Sequence, residues 1–166
     1  MRSLYDKYHA SGFELLAFPV NQFGCQAPET SEGERQAAIR KFGFDFPVFD
    51  KVAAKYKPAP ECSRVLPVIF PMEGEGTDAD EVAESQPVDD TAGAPMSEGY
   101  RFLKNSEAGG STELEWNYVK FLVGRDGSVL KRYKPGDPLA QGMEDDIKAA
   151  LDGKPLPVRT GAPLGL

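Results

Sequence analysis

The stretch Ala17-Phe-Pro-Val-Asn-Gln-Phe-Gly24 decides the fold that we expect for this chain. An apolar run leads into it and ends at Pro19, because proline has no N–H with which to continue a sheet ladder. Two side-chain amides, Asn21 and Gln22, follow, and Gly24 then allows the backbone to turn. The pattern predicts a buried strand that delivers Gln22 to its C-terminal edge, where α/β sheets usually place their chemistry.

A second polar stretch, Glu115-Trp-Asn-Tyr118, opens a predicted strand far along the chain. Gln22, Trp116 and Asn117 all carry N–H donors, and none of them is a nucleophile or a base. We therefore expect these three side chains to form an electrostatic cradle for an anion.

The order of the remaining elements predicts an α/β fold with a mixed sheet. A helix ending near His9, with Ser11-Gly12 as its predicted C-cap, precedes a first strand at Glu14–Val20. The nearly continuous apolar character of this strand predicts burial on both faces. The next predicted helix covers Glu32–Phe42, with a capping box at Ser31 and Glu34 and a stop at Gly43. A strand-like segment at Phe44–Phe49 follows it.

Two elements are predicted near the C-terminus. The first is a hairpin of Glu115–Gly124 and Ser128–Lys134 that turns at Asp126-Gly127. The second is a helix with the apolar stripe Met143, Ile147, Ala150 and Leu151.

Length and composition predict one domain. The 166 residues suffice for a core, and we place the domain at residues 1–153. A Pro-rich, acidic insert occupies residues 58–99, since there are nine acids and no Lys or Arg between Val65 and Tyr100. We expect residues 73–97 to be disordered and residues 154–166 to form a flexible tail.

Several partners and sites are disfavoured by the composition. The net charge of −7 argues against nucleic acid, and no apolar run approaches the roughly 20 residues of a membrane span. One histidine and two separated cysteines make no credible metal site, and we expect no cofactor.

The cysteine content favours a reducing intracellular compartment, cytoplasm or organelle, because Cys25 and Cys62 are too few for a disulfide framework. A single Cys25–Cys62 disulfide stays open. The oligomeric state stays open too.

Three blocks, taken together and in this order, resemble signature blocks of the glutathione peroxidase family, in particular its plant- or alga-like members. They are Ala17–Gly24, Phe46-Pro-Val-Phe-Asp-Lys-Val52 and Glu115-Trp-Asn-Tyr-Val-Lys-Phe-Leu-Val123. Asp126-Gly127 followed by Lys131-Arg-Tyr133 fits the same family. The resemblance covers nearly everything outside residues 58–99 and the tail.

The resemblance implies a thioredoxin-like fold and the reduction of hydroperoxides in defence against oxidative stress, with glutathione or thioredoxin as the reductant. The family uses a cysteine or selenocysteine nucleophile together with Gln, Trp and Asn, and the last three match Gln22, Trp116 and Asn117. The chemistry agrees with the cradle. A free thiol has a pKa of about 8.5, so donors that stabilise its thiolate keep it reactive near neutrality. They also stabilise the oxyanion that leaves as the O–O bond breaks.

The chain departs from the family at the nucleophile. In the family the nucleophile lies ahead of the helix that here begins the chain, and neither Cys25 nor Cys62 falls at that position. We therefore expect an N-terminally truncated member that lacks the first strand and is inactive on its own. Two alternatives stay open: a non-catalytic thioredoxin-like binding or regulatory module, and a peroxidase that uses Cys25 as a substitute thiol.

The charged hairpin allows two interpretations. Lys131, Arg132 and Lys134 could attract an anionic thiol such as glutathione, or they could be the solvated charges usual on an exposed hairpin.

Overall fold

The computed structural model describes residues 1–43, 46–55, 94–135 and 142–159, with the backbone alone at Phe42. A short 3-10 helix, His9–Ser11, follows the first α-helix directly. The α-helices and strands of the described residues are, in chain order, α1 (Arg2–Tyr8), α2 (Ser31–Phe42), α3 (Glu98–Asn105), β1 (Lys120–Val123), β2 (Val129–Tyr133) and α4 (Gly142–Leu151). None of these helices is long and apolar enough to cross a membrane.

Two glycines end the first helical segments, as the sequence predicts. Gly12 adopts φ +94° after the 3-10 helix, and Gly43 adopts φ +61° after α2. Both values lie in the left-handed region that glycine enters without a steric penalty.

The start of α2 differs from the prediction by one residue. The side chain of Thr30, and not that of Ser31, caps the helix by accepting a hydrogen bond from the Gly33 N–H at 3.1 Å. The Ser31 hydroxyl instead accepts a hydrogen bond from the Lys51 N–H at 3.0 Å. The predicted box was wrong because the serine at its first position is used in a long-range contact.

The predicted strand Glu14–Val20 is an extended segment with one parallel bridge, between Ala17 and Val48. The Ala17 N–H donates to the Pro47 carbonyl at 3.0 Å, and the Phe49 N–H donates to the Ala17 carbonyl at 2.8 Å. The pairing continues as the Val52 N–H donates to the Pro19 carbonyl at 3.0 Å. It sets the segment at 46–55 beside the segment that leads into Gln22.

The prediction that this segment is buried on both faces is wrong. Leu16 is 49% exposed and Phe18 is 36% exposed. The ring of Phe18 stacks on that of Phe49, with centroids 4.6 Å apart, and Phe49 is itself 42% exposed. The apolar run therefore reflects an aromatic contact near the surface on one face of the segment.

The hairpin forms around the predicted Asp-Gly turn. β1 pairs antiparallel with β2, with Lys120 opposite Tyr133 and Phe121 opposite Arg132, and Gly127 adopts φ +82° in the turn. β1 begins at Lys120 and not at Glu115, since Tyr118 adopts φ +65°, a left-handed conformation that interrupts extended structure.

Two apolar clusters form the core of the described residues. The first joins α1, the hairpin and α4. Of the four predicted stripe residues it contains Met143 and Ile147, and Ala150 and Leu151 pack against it. Its buried members are Leu4, Leu122, Tyr133, Met143 and Ile147. The second cluster consists of Phe23, Ala54 and Leu114. It lies directly under the candidate site.

The ends of the predicted insert and of the predicted tail belong to the ordered fold. Met96 is 3% exposed, and the Ser97 hydroxyl caps α3 by accepting from the Tyr100 N–H. The disorder predicted for residues 73–97 therefore does not extend to Met96, and residues 56–93 lie outside the described ones. Residues 154–159 of the predicted flexible tail are held in place, because Leu156 packs on the first cluster and Arg159 pairs with Asp146.

Candidate functional site

The loop that follows the extended segment is built by Asn21. This residue is 1% exposed, and its Oδ1 accepts a hydrogen bond from the Ala27 N–H at 3.0 Å. Its carbonyl accepts from the Cys25 N–H at 3.2 Å, so one residue closes the loop from both its side chain and its backbone. Gly24 and Cys25 have φ values of +71° and +55°, which reverse the chain between these bonds.

Gln22 is buried and its amide is bound to the neighbouring backbone. Its Oε1 accepts from the Ala54 N–H at 2.7 Å and from the Lys55 N–H at 2.8 Å. Its Nε2 donates to the Lys55 carbonyl at 3.4 Å. Gln22 therefore fixes the segment at 54–55 against the loop, a structural role that the cradle hypothesis did not include.

Trp116 and Asn117 come to the same loop from the turn before β1. The indole of Trp116 packs on the ring of Phe23, with centroids 5.7 Å apart. Asn117 Nδ2 donates to Gln26 Oε1 at 2.8 Å, and it lies 3.5 Å from the Phe23 carbonyl oxygen. The structure thus brings the tryptophan and the asparagine together with the loop of Gln22, through direct contacts with the residues after Gln22.

The loop packs against the indole at Gly24. A Cβ placed on Gly24 would lie 3.5 Å from the Cη2 atom of Trp116, which is ordinary contact distance. Trp116 itself is 49% exposed. Within the described residues its indole N–H has no acceptor.

A cation and a protonated phenol lie close to this arrangement. Lys55 Nζ lies 4.3 Å from the centroid of the Phe23 ring, a cation–π distance, and it adds positive charge beside the loop. Burial raises the pKa of Tyr100 to about 12. Tyr100 packs on the cluster of Phe23 and therefore keeps its proton near neutral pH.

Cys25 is disulfide-bonded. A disulfide sulfur is not a thiolate, so Cys25 could serve as a nucleophile only after reduction. The other cysteine of the chain, Cys62, lies outside the described residues. The disulfide adds a covalent constraint to the loop that contacts Trp116 and Asn117.

The hairpin cations are engaged inside the fold. Arg132 has a side chain only 8% exposed, and it pairs with Glu115 at 2.7 Å. Lys131 Nζ lies 2.7 Å from Oδ2 of Asp146, which is fully buried. For these two residues, the interpretation as freely solvated charges or as a surface that attracts an anionic thiol does not agree with the contacts.

The two carboxylates that pair with these cations have lowered pKa values. Partial burial raises the pKa of Glu115, but the hydrogen bond and charge of Arg132 outweigh this effect and hold that pKa below its ordinary value. Burial likewise raises the pKa of Asp146, and hydrogen bonds from Arg159, Lys131 and Tyr133 hold it below the ordinary value. Both carboxylates are therefore charged at neutral pH.

Gln26 and Lys55 were not predicted as parts of the site, and Arg132 was interpreted only as a cation for an anionic thiol or as a solvated charge. Gln26 had a weak signal, since it is an amide in the same loop as two others. Lys55 and the burial of Arg132 had none, because their contacts join parts of the chain far apart in sequence. The described residues contain no group of three or more His, Cys, Asp or Glu side chains that could hold a metal ion.

The chain is similar in sequence to known proteins. The family model "Glutathione peroxidase" matches residues 1–60. The chain is 34% identical to "Probable phospholipid hydroperoxide glutathione peroxidase 6, mitochondrial" of Arabidopsis thaliana, over 91% of the chain and 49% of that protein. It is 34% identical to a "Probable phospholipid hydroperoxide glutathione peroxidase" of Citrus sinensis, over 92% of the chain and 69% of that protein. The protein of the same name from Solanum lycopersicum is 35% identical, over 91% of the chain and 68% of the relative.

The chain spans between 49% and 69% of the length of these relatives. The alignments nevertheless cover nearly all of the chain, including both polar stretches that meet at the site. The chain therefore belongs to the glutathione peroxidase family, whose fold is thioredoxin-like α/β.

Proposed function

We propose that this protein takes part in the thiol-dependent reduction of hydroperoxides, in defence against oxidative stress, with glutathione or thioredoxin as the reductant. The observation that carries the proposal is the meeting of Trp116 and Asn117 with the loop of Gln22. Family membership supports the same reaction, since the relatives are named as peroxidases of phospholipid hydroperoxides.

In this reaction a thiolate or selenolate attacks the distal oxygen of the hydroperoxide. The S–O or Se–O bond forms as the O–O bond breaks, and the leaving oxyanion takes up a proton to become an alcohol. A first reductant thiol then displaces water from the sulfenic or selenenic acid, and a second releases the oxidised reductant as a disulfide. The two electrons that reduce the peroxide come from those two thiols.

The residues of this chain supply hydrogen-bond donors to that reaction. In the proposal, the indole N–H of the half-exposed Trp116 stabilises the attacking anion and the developing oxyanion, because fixed donors in such a place favour negative charge. Asn117 supports it from the same turn, with Nδ2 held by Gln26. Gln22 also contributes through its side-chain oxygen, which binds the backbone N–H groups of Ala54 and Lys55. Lys55 in turn places its ammonium group over the Phe23 ring.

The proposal includes the finer features expected from the sequence. For residues 1–166 they are a mixed sheet without the first strand that carries the nucleophile in the family, one domain at 1–153, and no peroxidatic Cys or Sec at the family's position. The alternative function is a non-catalytic thioredoxin-like binding or regulatory module. Two observations favour it for this chain: Cys25 is held in a disulfide, and the amide of Gln22 is bound to backbone.

The test compares two polypeptides, residues 1–166 and the translation product of the complete transcript that encodes them. Hydroperoxide consumption is measured with glutathione, thioredoxin and dithiothreitol as separate reductants. The proposal expects turnover by the translation product, and it expects an in-frame Cys or UGA codon after a strand pattern upstream. A complete transcript without such a codon, and a folded product without turnover, would establish the binding module instead.

A further inference from the structure

Arg132 joins the hairpin to the segment that leads into the candidate site. It lies on β2 opposite Phe121, and its guanidinium carbon is 5.8 Å from the centroid of that ring. Although arginine is normally a surface residue, this side chain is 8% exposed. A buried guanidinium needs acceptors, and the chain provides them from one continuous stretch, residues 109–115.

The bonds of Arg132 are numerous and point to one stretch of backbone. Nη1 donates to the Gly109 carbonyl at 3.0 Å, to the Thr112 carbonyl at 3.1 Å and to the Thr112 hydroxyl at 3.0 Å. Nη2 donates to the Glu113 carbonyl at 2.8 Å and to Glu115 Oε2 at 2.7 Å. Three carbonyls, a hydroxyl and a carboxylate are thus fixed by one planar group.

The last of these contacts is adjacent to the site. Glu115 directly precedes Trp116, so its position sets where the indole leaves the segment. Leu114, between the two last acceptor residues, is buried against Phe23. The guanidinium therefore acts on the backbone immediately before the tryptophan.

We propose that Arg132 is a positioning residue for Trp116 and Asn117, and that its fork of donors holds the turn before β1 against the loop of Gln22. The inference rests on the proposed function for its catalytic meaning. Arg132 acts through the segment at 109–115 and does not bind the reductant, since its Nη1 and Nη2 donors are used within the fold. Lysine cannot replace it, because an ammonium lacks the planar fork that reaches several acceptors at once.

The test uses Trp116 as its own reporter, since it is the only tryptophan of the chain. In Arg132→Lys, which keeps the charge, we expect the acrylamide quenching constant of Trp116 to rise about twofold, because a lysine cannot hold all five acceptors. The matched control is Lys131→Met on the same strand, which removes a cation that contacts Asp146 and none of the acceptors of Arg132. We expect this control to leave the quenching constant unchanged, and circular dichroism verifies the fold of both variants.

Unchanged quenching in a folded Arg132→Lys variant would overturn the proposal. An equal rise in Lys131→Met would overturn it as well, since general loosening of the hairpin would then explain the effect. The fluorescence needs no turnover, so it separates the two claims. If Arg132→Lys raises the quenching while the translation product of the complete transcript reduces no hydroperoxide, the positioning role stands and the proposed function fails.

Discussion

Asn117 donates a hydrogen bond from Nδ2 to Oε1 of Gln26 at 2.8 Å, between residues 91 positions apart. The bond joins the turn before β1 to the loop that begins with Asn21. Because each partner is a side-chain amide on an otherwise tightly bonded turn, the contact sets the distance between the two polar stretches of the sequence. The site is therefore an assembly of two loops. Hydrogen bonds of Asn21 hold one loop in place, and hydrogen bonds of Arg132 hold the segment that leads into the other.

Gly109 lies where the chain passes closest to the end of α3. A Cβ at this position would be 2.0 Å from the Leu103 carbonyl oxygen and 2.7 Å from that of Lys104. We predict that Gly109→Ala lowers the free energy of unfolding by about 3 kcal/mol, as backbone must move to relieve the clash. Urea denaturation measures the change.

The matched control for that variant is Gly99→Ala, at the second residue of α3, where a Cβ would meet nothing within 4 Å. Alanine favours a helix over glycine by up to about 1 kcal/mol, so this variant should be neutral or more stable. A Gly109→Ala protein as stable as the control would show that the approach of the two backbones is wrong.

Asp146 connects three parts of the C-terminal region. It is fully buried, and its carboxylate accepts from Lys131 Nζ at 2.7 Å and from the Tyr133 hydroxyl at 2.7 Å. Arg159 Nη2 lies 2.9 Å from its other oxygen. We predict that Asp146→Asn costs about 3 kcal/mol of stability, since two cations then lose their buried partner.

Chemical denaturation at pH 7 checks this cost, and Asp145→Asn is its control. The Asp145 side chain is 53% exposed, so its substitution should change the free energy of unfolding by less than about 0.5 kcal/mol. Equal effects of the two substitutions would contradict the role of the buried carboxylate.

Glu144 joins α4 to α1. Its Oε1 accepts from Lys7 Nζ at 2.7 Å and from the Tyr8 hydroxyl, and these bonds hold the pKa of Glu144 at about 2, below an ordinary value of 4.5. A carboxyl whose pKa is lower in the folded state stabilises the fold above its unfolded pKa, and it loses that contribution as the pH falls. We predict a loss of stability between pH 4.5 and about pH 2 that Glu144→Gln lacks.

Denaturation midpoints across that pH range measure the effect, with Glu107→Gln on the exposed surface as the control. The wild type and the control should lose stability in parallel, while Glu144→Gln changes less. Parallel curves for all three proteins would show that the contact between α1 and α4 does not form in solution.

Cys25 as a substitute nucleophile makes a sharp prediction for residues 1–166. We expect the folded chain to consume no hydroperoxide with dithiothreitol, which reduces the disulfide of Cys25, and Cys25→Ser to behave identically, because the sequence does not place Cys25 at the family's nucleophile position. Circular dichroism verifies that both proteins are folded. Turnover by the wild type that disappears in Cys25→Ser would make Cys25 the nucleophile and replace the assignment of the site.

Local sequence signals predicted the elements well. Gly12 and Gly43 ended helical segments as expected, and the Asp126-Gly127 pair turned the hairpin, because left-handed turns depend mainly on the residues within them. The predicted start of β1 at Glu115 was wrong, because no local signal marked the turn before Lys120. Tyr118 adopts a positive φ that its residue type does not signal.

The candidate site was predictable only in part. The positions of Gln22, Trp116 and Asn117 followed from motifs, and the structure brings the last two to the loop of the first. The binding of the Gln22 amide to Ala54 and Lys55 was not predictable, since it depends on how the parallel segment at 46–55 is placed. Burial of Arg132 escaped prediction too, because a charged residue on a short hairpin ordinarily faces water.

The most direct test of the account is the kcat/KM for hydroperoxide of the translation product of the complete transcript, compared with that of its Trp116→Phe variant. Phenylalanine keeps an aromatic ring against Phe23 and removes the indole N–H. We predict a loss of about 10²-fold in kcat/KM, the usual effect of deleting one donor that stabilises a developing oxyanion. An unchanged kcat/KM in the folded variant would contradict the central claim that Trp116 is a donor in hydroperoxide reduction.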